Sequence, residues 1–184
     1  LTATEGSGCA FASPLLAAAF ERMETLLTRC SDRLEFAAFL SHHKVAAAMD
    51  ARFVKDKLEQ MLGADVFLDS DNLQDLRLLL DHVRQSDVLV LFQTSEVLQR
   101  PYCILEINAA VKAQVPIVAL NCRGKGYDST RSMRLMRRLD TELEKVNPGA
   151  PALLRANGLE PVEAAYVLSN VVPNIISVEW NSSA

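Results

Sequence analysis

Residues Asp87–Glu106, DVLVLFQTSEVLQRPYCILE, decide the fold. Asp87–Phe92 is an apolar run without alternation, as a strand covered on both faces requires. Gln93–Pro101 reads as a loop, and Pro101 suits the first turn of a helix, where its missing N–H has no partner to lose. Glu106 then falls about one turn into that helix, after Tyr102 and Cys103. In an open parallel sheet the ligand crevice lies at the carboxyl ends of the strands, and a carboxylate placed there can point into it.

Upstream, Leu34–Leu40 reads as a first strand running into Ser41-His42-His43-Lys44. A helix is expected from about Ala46 to Leu62. Its apolar face carries Ala47, Ala51, Val54, Leu58 and Met61, and its polar face Arg52, Lys55, Asp56 and Glu59. Gly63 is the expected C-cap. Asp65–Leu68 reads as a short second strand, Asp69–Asp75 as a polar loop, and Leu76, Leu79, Leu80 and Val83 mark another helix.

Downstream, the helix opened by Pro101 should run to about Gln114, followed by a strand at Pro116–Leu120. This alternation with short connections implies an α/β parallel sheet wrapped on both faces. After Cys122 come a loop at Arg123–Tyr127 and one helix with Met136, Leu139, Leu143 and Val146 on one side, stopped by Asn147-Pro148-Gly149. A short helix at Pro161–Asn170 and a fifth strand at Ile175–Trp180 complete the pattern.

Residues 1–12 are small and polar and are expected to be disordered. Ser13 and Pro14 form a helix start, and Leu16, Phe20, Met23, Leu27 and Cys30 then make one narrow apolar stripe. Packing on its own domain and association with another copy or domain both suit that stripe. The expected division is therefore 1–33, a disordered start with an amphipathic helix, and 34–184, the α/β domain.

A length of 184 residues suits one α/β domain, and 49% apolar with 23% charged residues is globular composition. A net charge of −4 implies no general affinity for nucleic acid or anionic membrane. Cys9, Cys30, Cys103 and Cys122 show no C-x-x-C spacing and read as reduced, mostly buried thiols of a cytosolic protein. No apolar run approaches the roughly 18 residues that span a bilayer. Without an initiator Met or a basic start, the chain looks like part of something longer.

The glycine-rich phosphate cradles G-x-G-x-x-G and G-x-x-x-x-G-K-[ST] are missing, as is a G-x-S-x-G elbow. Adjacent His42 and His43 lack the spacing of a helical zinc pair. A phospho-receiver needs acidic residues after its first strand, where Ser-His-His-Lys stands instead.

What remains is Ser41–Lys44, Asp69–Gln74 and Thr94–Glu106, a mixture of cations, carboxylates and a ring. The cationic loop would suit a phosphate-bearing ligand. A carboxylate nearby would suit hydroxyls, or a sugar carbon gaining positive charge as its leaving group departs. Spacing alone leaves Glu106 undecided, because acidic residues are common in first helical turns, where they complement the helix dipole.

Several blocks, in register with the βα alternation, resemble the TIR (Toll/interleukin-1 receptor) domain family over about residues 34–122. Phe39-Leu-Ser-His42 is similar to the family's strand-A ending, and Val66-Phe-Leu-Asp69 with the segment to Asp75 is similar to strand B and the BB loop. Ser86-Asp-Val-Leu-Val-Leu91 looks like strand C, and Tyr102-Cys-Ile-Leu-Glu106 looks like the W-C-x-x-E block, with Tyr in place of Trp. Ser95 matches the start of the following loop, but Leu98 stands where the family usually has Tyr.

The resemblance implies a flavodoxin-like five-stranded sheet in the order 2-1-3-4-5, with the family's last helix missing after the fifth strand. Some TIR domains are scaffolds that bind other TIR domains, and others hydrolyse NAD+. Glu106 occupies the catalytic position of the second group, whose members release nicotinamide and form ADP-ribose or a cyclic form of it. The resemblance further implies NAD+, with NADP+ as a variant, as substrate rather than redox cofactor. It implies no metal, self-association through TIR–TIR contacts, and a cytoplasmic setting in signalling or defence.

Ser41, His42, His43, Lys44, Asp69, Gln74, Tyr102 and Cys103 would line the substrate pocket. Structural roles stand beside these. Ser41 could cap the next helix, His42 could pack at the strand end, Asp69 could hold its loop, and Cys103 reads as a buried small residue rather than a nucleophile. A scaffold without chemistry and a nucleoside deoxyribosyltransferase-like enzyme are the alternatives to NAD+ cleavage.

Overall fold

The structure, a computed structural model, describes residues 34–69 and 76–181. The expected disordered start, the helix at Ser13–Cys30, Cys9 and Gln74 lie outside the described residues.

Strand β1 is Ala38–Ser41, β2 Val66–Leu68, β3 Leu89–Gln93, β4 Ile117–Cys122 and β5 Ile176–Trp180. Helices α1 (Lys44–Leu62), α2 (Leu76–Arg84) and α3 (Pro101–Lys112) separate the first four strands. Helices α4 (Ser129–Arg137), α5 (Leu139–Val146), α6 (Ala150–Ala156) and α7 (Pro161–Val171) lie between β4 and β5. All strand pairs are parallel, in the order β2-β1-β3-β4-β5. This is the flavodoxin-like order the resemblance implies.

Strand β3 sits at the centre, with Leu89 beside Phe39 of β1 and Ile117 of β4. All its residues are buried, which is why its sequence does not alternate. Successive side chains of a strand leave on opposite faces. Phe39, Leu89 and Leu91 therefore join one core, with α2, α3, α5, α6 and α7. Leu40, Val90 and Phe92 join a second core, whose helical residues include Ala47, Ala51, Val54 and Leu58 of α1.

Gly63 is in the left-handed region (φ 59°), and its N–H closes α1 on the Glu59 carbonyl. Pro101 opens α3 as expected. The first strand is shorter than Leu34–Leu40, because Phe36 makes only an isolated bridge with Ser86. Helix α1 starts two residues early at Lys44, and β4 continues to Cys122. Met61, expected on the buried face of α1, is 50% exposed in its last turn.

The single helix expected through Met136–Val146 is two. Arg138 leaves helical geometry (φ −130°, ψ 31°), and the turn keeps Met136, Leu139 and Leu143 buried while Val146 is exposed. Helix α6 was not expected. Gly149, at φ 83°, restarts the chain after Asn147-Pro148, and Pro151 occupies the first turn of α6.

Candidate active site

The order β2-β1-β3 reverses direction at β1, so the chain leaves β1 and β3 on opposite sides of a crevice at their carboxyl ends. A cavity of about 400 Å³ occupies that place. His42, His43 and Lys44 enter it from the end of β1, Asp69 from the end of β2, and Leu76 and Leu79 from α2. Arg100, Tyr102, Cys103 and Glu106 enter from the start of α3. Seven of the nine expected site residues therefore line one cavity. Ser41 acts on it from behind, and Gln74 lies outside the described residues.

Glu106 is 3% exposed, and its one hydrogen-bond donor among the described residues is the Ser41 hydroxyl, 2.5 Å from Oε2. Ser41 therefore joins β1 to α3 rather than capping α1, whose N-cap is His43. Burial pushes the Glu106 carboxyl up to about 8, the Ser41 hydrogen bond pulls it back, Asp69 adds to the rise and Lys44 opposes it. Lys44 forms an ion pair with Asp69 at 3.3 Å, so the cation whose charge reaches Glu106 is shared with a second carboxylate. Among the described residues, Oδ1 of Asp69 is buried without a hydrogen-bond partner.

His42 is buried, with its ring edge-on to Phe92. Its Nδ1 lies 3.3 Å from the Leu40 carbonyl, which requires the proton on Nδ1. Burial lowers its pKa, so it is neutral at pH 7. His43 is also lowered, first by burial and then by the Arg100 charge. The Cys103 thiol points at the His42 carbonyl at 3.5 Å and is held well above its ordinary pKa by burial and by Glu106. It is a packed, unreactive thiol, and Cys122 is likewise buried and unpaired. Tyr102 is 47% exposed, offering a ring at the mouth rather than the floor. Among the described residues no group of three or more His, Cys, Asp or Glu side chains is placed to hold a metal.

The sequence did not single out Arg100 or the leucine wall. One signal for Arg100 was available. A residue preceding proline is kept out of helical geometry, and Arg100 is extended (φ −89°, ψ 117°) at the N-cap of α3. Chemically, the site joins an apolar wall, a cationic end and a buried carboxyl whose hydrogen-bond donor is a neutral hydroxyl. Such a carboxyl is neutral at rest and becomes charged when a ligand brings positive charge or hydroxyl donors to it.

No protein-family model matches the chain, and no curated protein matches it in sequence. Among solved structures it is similar to the TIR domains of the activated Roq1 resistosome directly recognizing the pathogen effector XopQ. The identity is 15%, the TM-score is 0.53, and the match covers 78% of this chain and 87% of that one. The fold is TIR-like. Among the described residues no helix is long and apolar enough to cross a membrane.

Proposed function

We propose that the protein cleaves the bond between nicotinamide and ribose in NAD+, with Glu106 as the catalytic residue. The observation that carries the reading is a glutamate buried on the cavity floor with, among the described residues, a serine as its one hydrogen-bond donor. It closes the Tyr102–Glu106 block, which resembles the W-C-x-x-E block of the TIR family.

The C1′–N bond breaks with its electron pair passing to the nicotinamide nitrogen, which neutralises the pyridinium. Positive charge moves to the ribose, and Glu106 as carboxylate holds the ribose hydroxyls and stabilises that charge. Water then adds to C1′ and releases a proton, giving ADP-ribose. Attack by the ligand's own adenine instead gives a cyclic product. Little acid catalysis is needed, because nicotinamide leaves as a neutral base.

His42, His43, Lys44, Asp69 and Tyr102 bind the rest of the dinucleotide, and Cys103 packs beneath it. A second subunit closing the cavity would make activity depend on self-association. A TIR neighbour taken from an assembled resistosome supports that dependence, and a cytoplasmic role in defence or signalling fits it.

The test is chromatographic measurement of nicotinamide release from NAD+ and NADP+ over a range of protein concentrations, beside Glu106→Ala. The wild type is expected to turn over NAD+ with a rate per subunit that rises with concentration. The variant should lose at least about a hundredfold. No release from wild type, even when clustered on beads, would leave a scaffold acting by TIR–TIR contact. Cleavage of nucleosides but not NAD+ would indicate deoxyribosyl transfer.

A further inference from the structure

The geometry points to Arg100 as the anchor for the phosphates of the cavity's ligand, with Glu96 as the positioning residue that holds its guanidinium in place. This rests on the reading of the cavity as a dinucleotide site, and assigns the diphosphate its place within it.

Arg100 lines the cavity from the residue before Pro101, where its backbone is extended and leads directly into α3. Glu96, one turn earlier, accepts a hydrogen bond from Nη2 of Arg100. That contact fixes the planar fork at one corner. Nε of Arg100 is buried and has no hydrogen-bond partner among the described residues. Nδ1 of His43, also buried and unpartnered, lies 3.9 Å from the same Glu96 carboxylate, too far for a hydrogen bond. Two buried polar nitrogens are thus left without partners around one carboxylate at the cavity wall.

The Arg100 side chain stays 36% exposed beside that carboxylate, and a ligand that suits a cation so placed carries several acceptor oxygens. A phosphate does so, and a guanidinium fork matches its geometry better than an ammonium. Lys44, the other cation of the cavity, is paired with Asp69. Arg100 is paired too, but with a residue of its own turn, which holds its charge at the cavity wall. With Glu106 on the floor, the arrangement orients a dinucleotide by chemistry, the ribose hydroxyls at the carboxyl and the diphosphate at the fork.

The experiment is calorimetric titration of the full chain with ADP-ribose, which has two phosphates and no bond to cleave, and with adenosine, which has none. Wild type, Arg100→Ala, Arg100→Lys and Glu96→Gln are compared. Arg100→Ala is expected to weaken ADP-ribose about tenfold or more and to leave adenosine unchanged. Arg100→Lys should recover part of the loss, as a point charge without a fork. Glu96→Gln should raise KM for NAD+ and leave kcat unchanged, since it loosens binding without touching the reacting bond.

Equal ADP-ribose affinity in wild type and Arg100→Ala, an equal loss with adenosine, or no ADP-ribose binding by wild type at millimolar concentration would each overturn the proposal. ADP-ribose binding that depends on Arg100, without nicotinamide release by wild type, would sink the proposed reaction and leave the anchor standing. Nicotinamide release with KM unchanged in Arg100→Ala would do the opposite.

Discussion

Two buried carboxylates lie near the carboxyl ends of the strands, and their surroundings differ. Asp50 of α1 is 4% exposed, and both of its oxygens are engaged. Oδ1 accepts from Nε1 of Trp180 at 3.2 Å, and Oδ2 lies 3.2 Å from Nζ of Lys125, which also donates to the Ala46 carbonyl at 2.8 Å. The cluster ties α1 to the end of β5 and to the loop after β4. Glu106 is as deeply buried but has one hydroxyl and a cavity. A carboxylate compensated by a cation and an indole N–H holds a fold together. One left nearly uncompensated raises its own pKa and waits for a ligand. The lesson is that burial alone does not distinguish structure from function, whereas the count of partners does.

The largest break between the two should appear in stability against pH. In the unfolded chain a glutamate titrates near 4.5, and in the fold Glu106 does so at about 8. Between those values the native state holds a proton that the unfolded state has released. The contribution of Glu106 is therefore fully present below about 4.5 and is lost progressively as pH rises to 8. Glu106→Gln keeps the neutral shape and cannot ionise. Its stability should match wild type near pH 4.5 and exceed it at pH 8 by a few kcal/mol, measured by urea unfolding across that range. Parallel curves for the two proteins would mean that Glu106 ionises in the fold without cost.

Asp50→Ala should act in the reverse sense. It strands the Trp180 indole N–H and one cation, and a cost of about 2 kcal/mol is expected, moderated because Lys125 is partly exposed. Nicotinamide release per folded subunit should be unaffected, since Asp50 does not line the cavity. A variant as stable as wild type but inactive would make Asp50 the functional carboxylate and invert the comparison.

The contrast was only half legible in the sequence. The unbroken apolar run of β3, Pro101 and Gly63 fixed the order of strands and helices, because each is a local signal with one structural meaning. Glu106 was singled out by its distance from Pro101 and by the Tyr102–Glu106 block. Its partner was not, because Ser41 lies 65 residues away and a serine after a strand also reads as a cap. Lys44 looked like a free cation for phosphate until its pairing with Asp69 across the cavity was seen. The break at Arg138 was missed because Met136, Leu139 and Leu143 keep a helical spacing on both sides of it. Arg100 lay in plain view between two expected elements, but its place on the cavity wall depends on packing that no one-dimensional pattern encodes.

The smallest effect is the most specific to this site. If catalysis needs the ionised form, kcat/KM for NAD+ should rise with pH and level off above about 8, the value for Glu106 in the free protein. Ser41 donates to the carboxylate and so favours its charged form. Ser41→Ala removes that donor, and the midpoint of the profile should move to higher pH by about one unit, the low end of what one hydrogen bond to a charged group contributes. The plateau at high pH should change little, because above the midpoint Glu106 is ionised in both proteins. A profile that falls rather than rises through pH 8 would mean that the neutral acid is the working form, and Glu106 would then donate a proton to the leaving group instead of steadying the ribose.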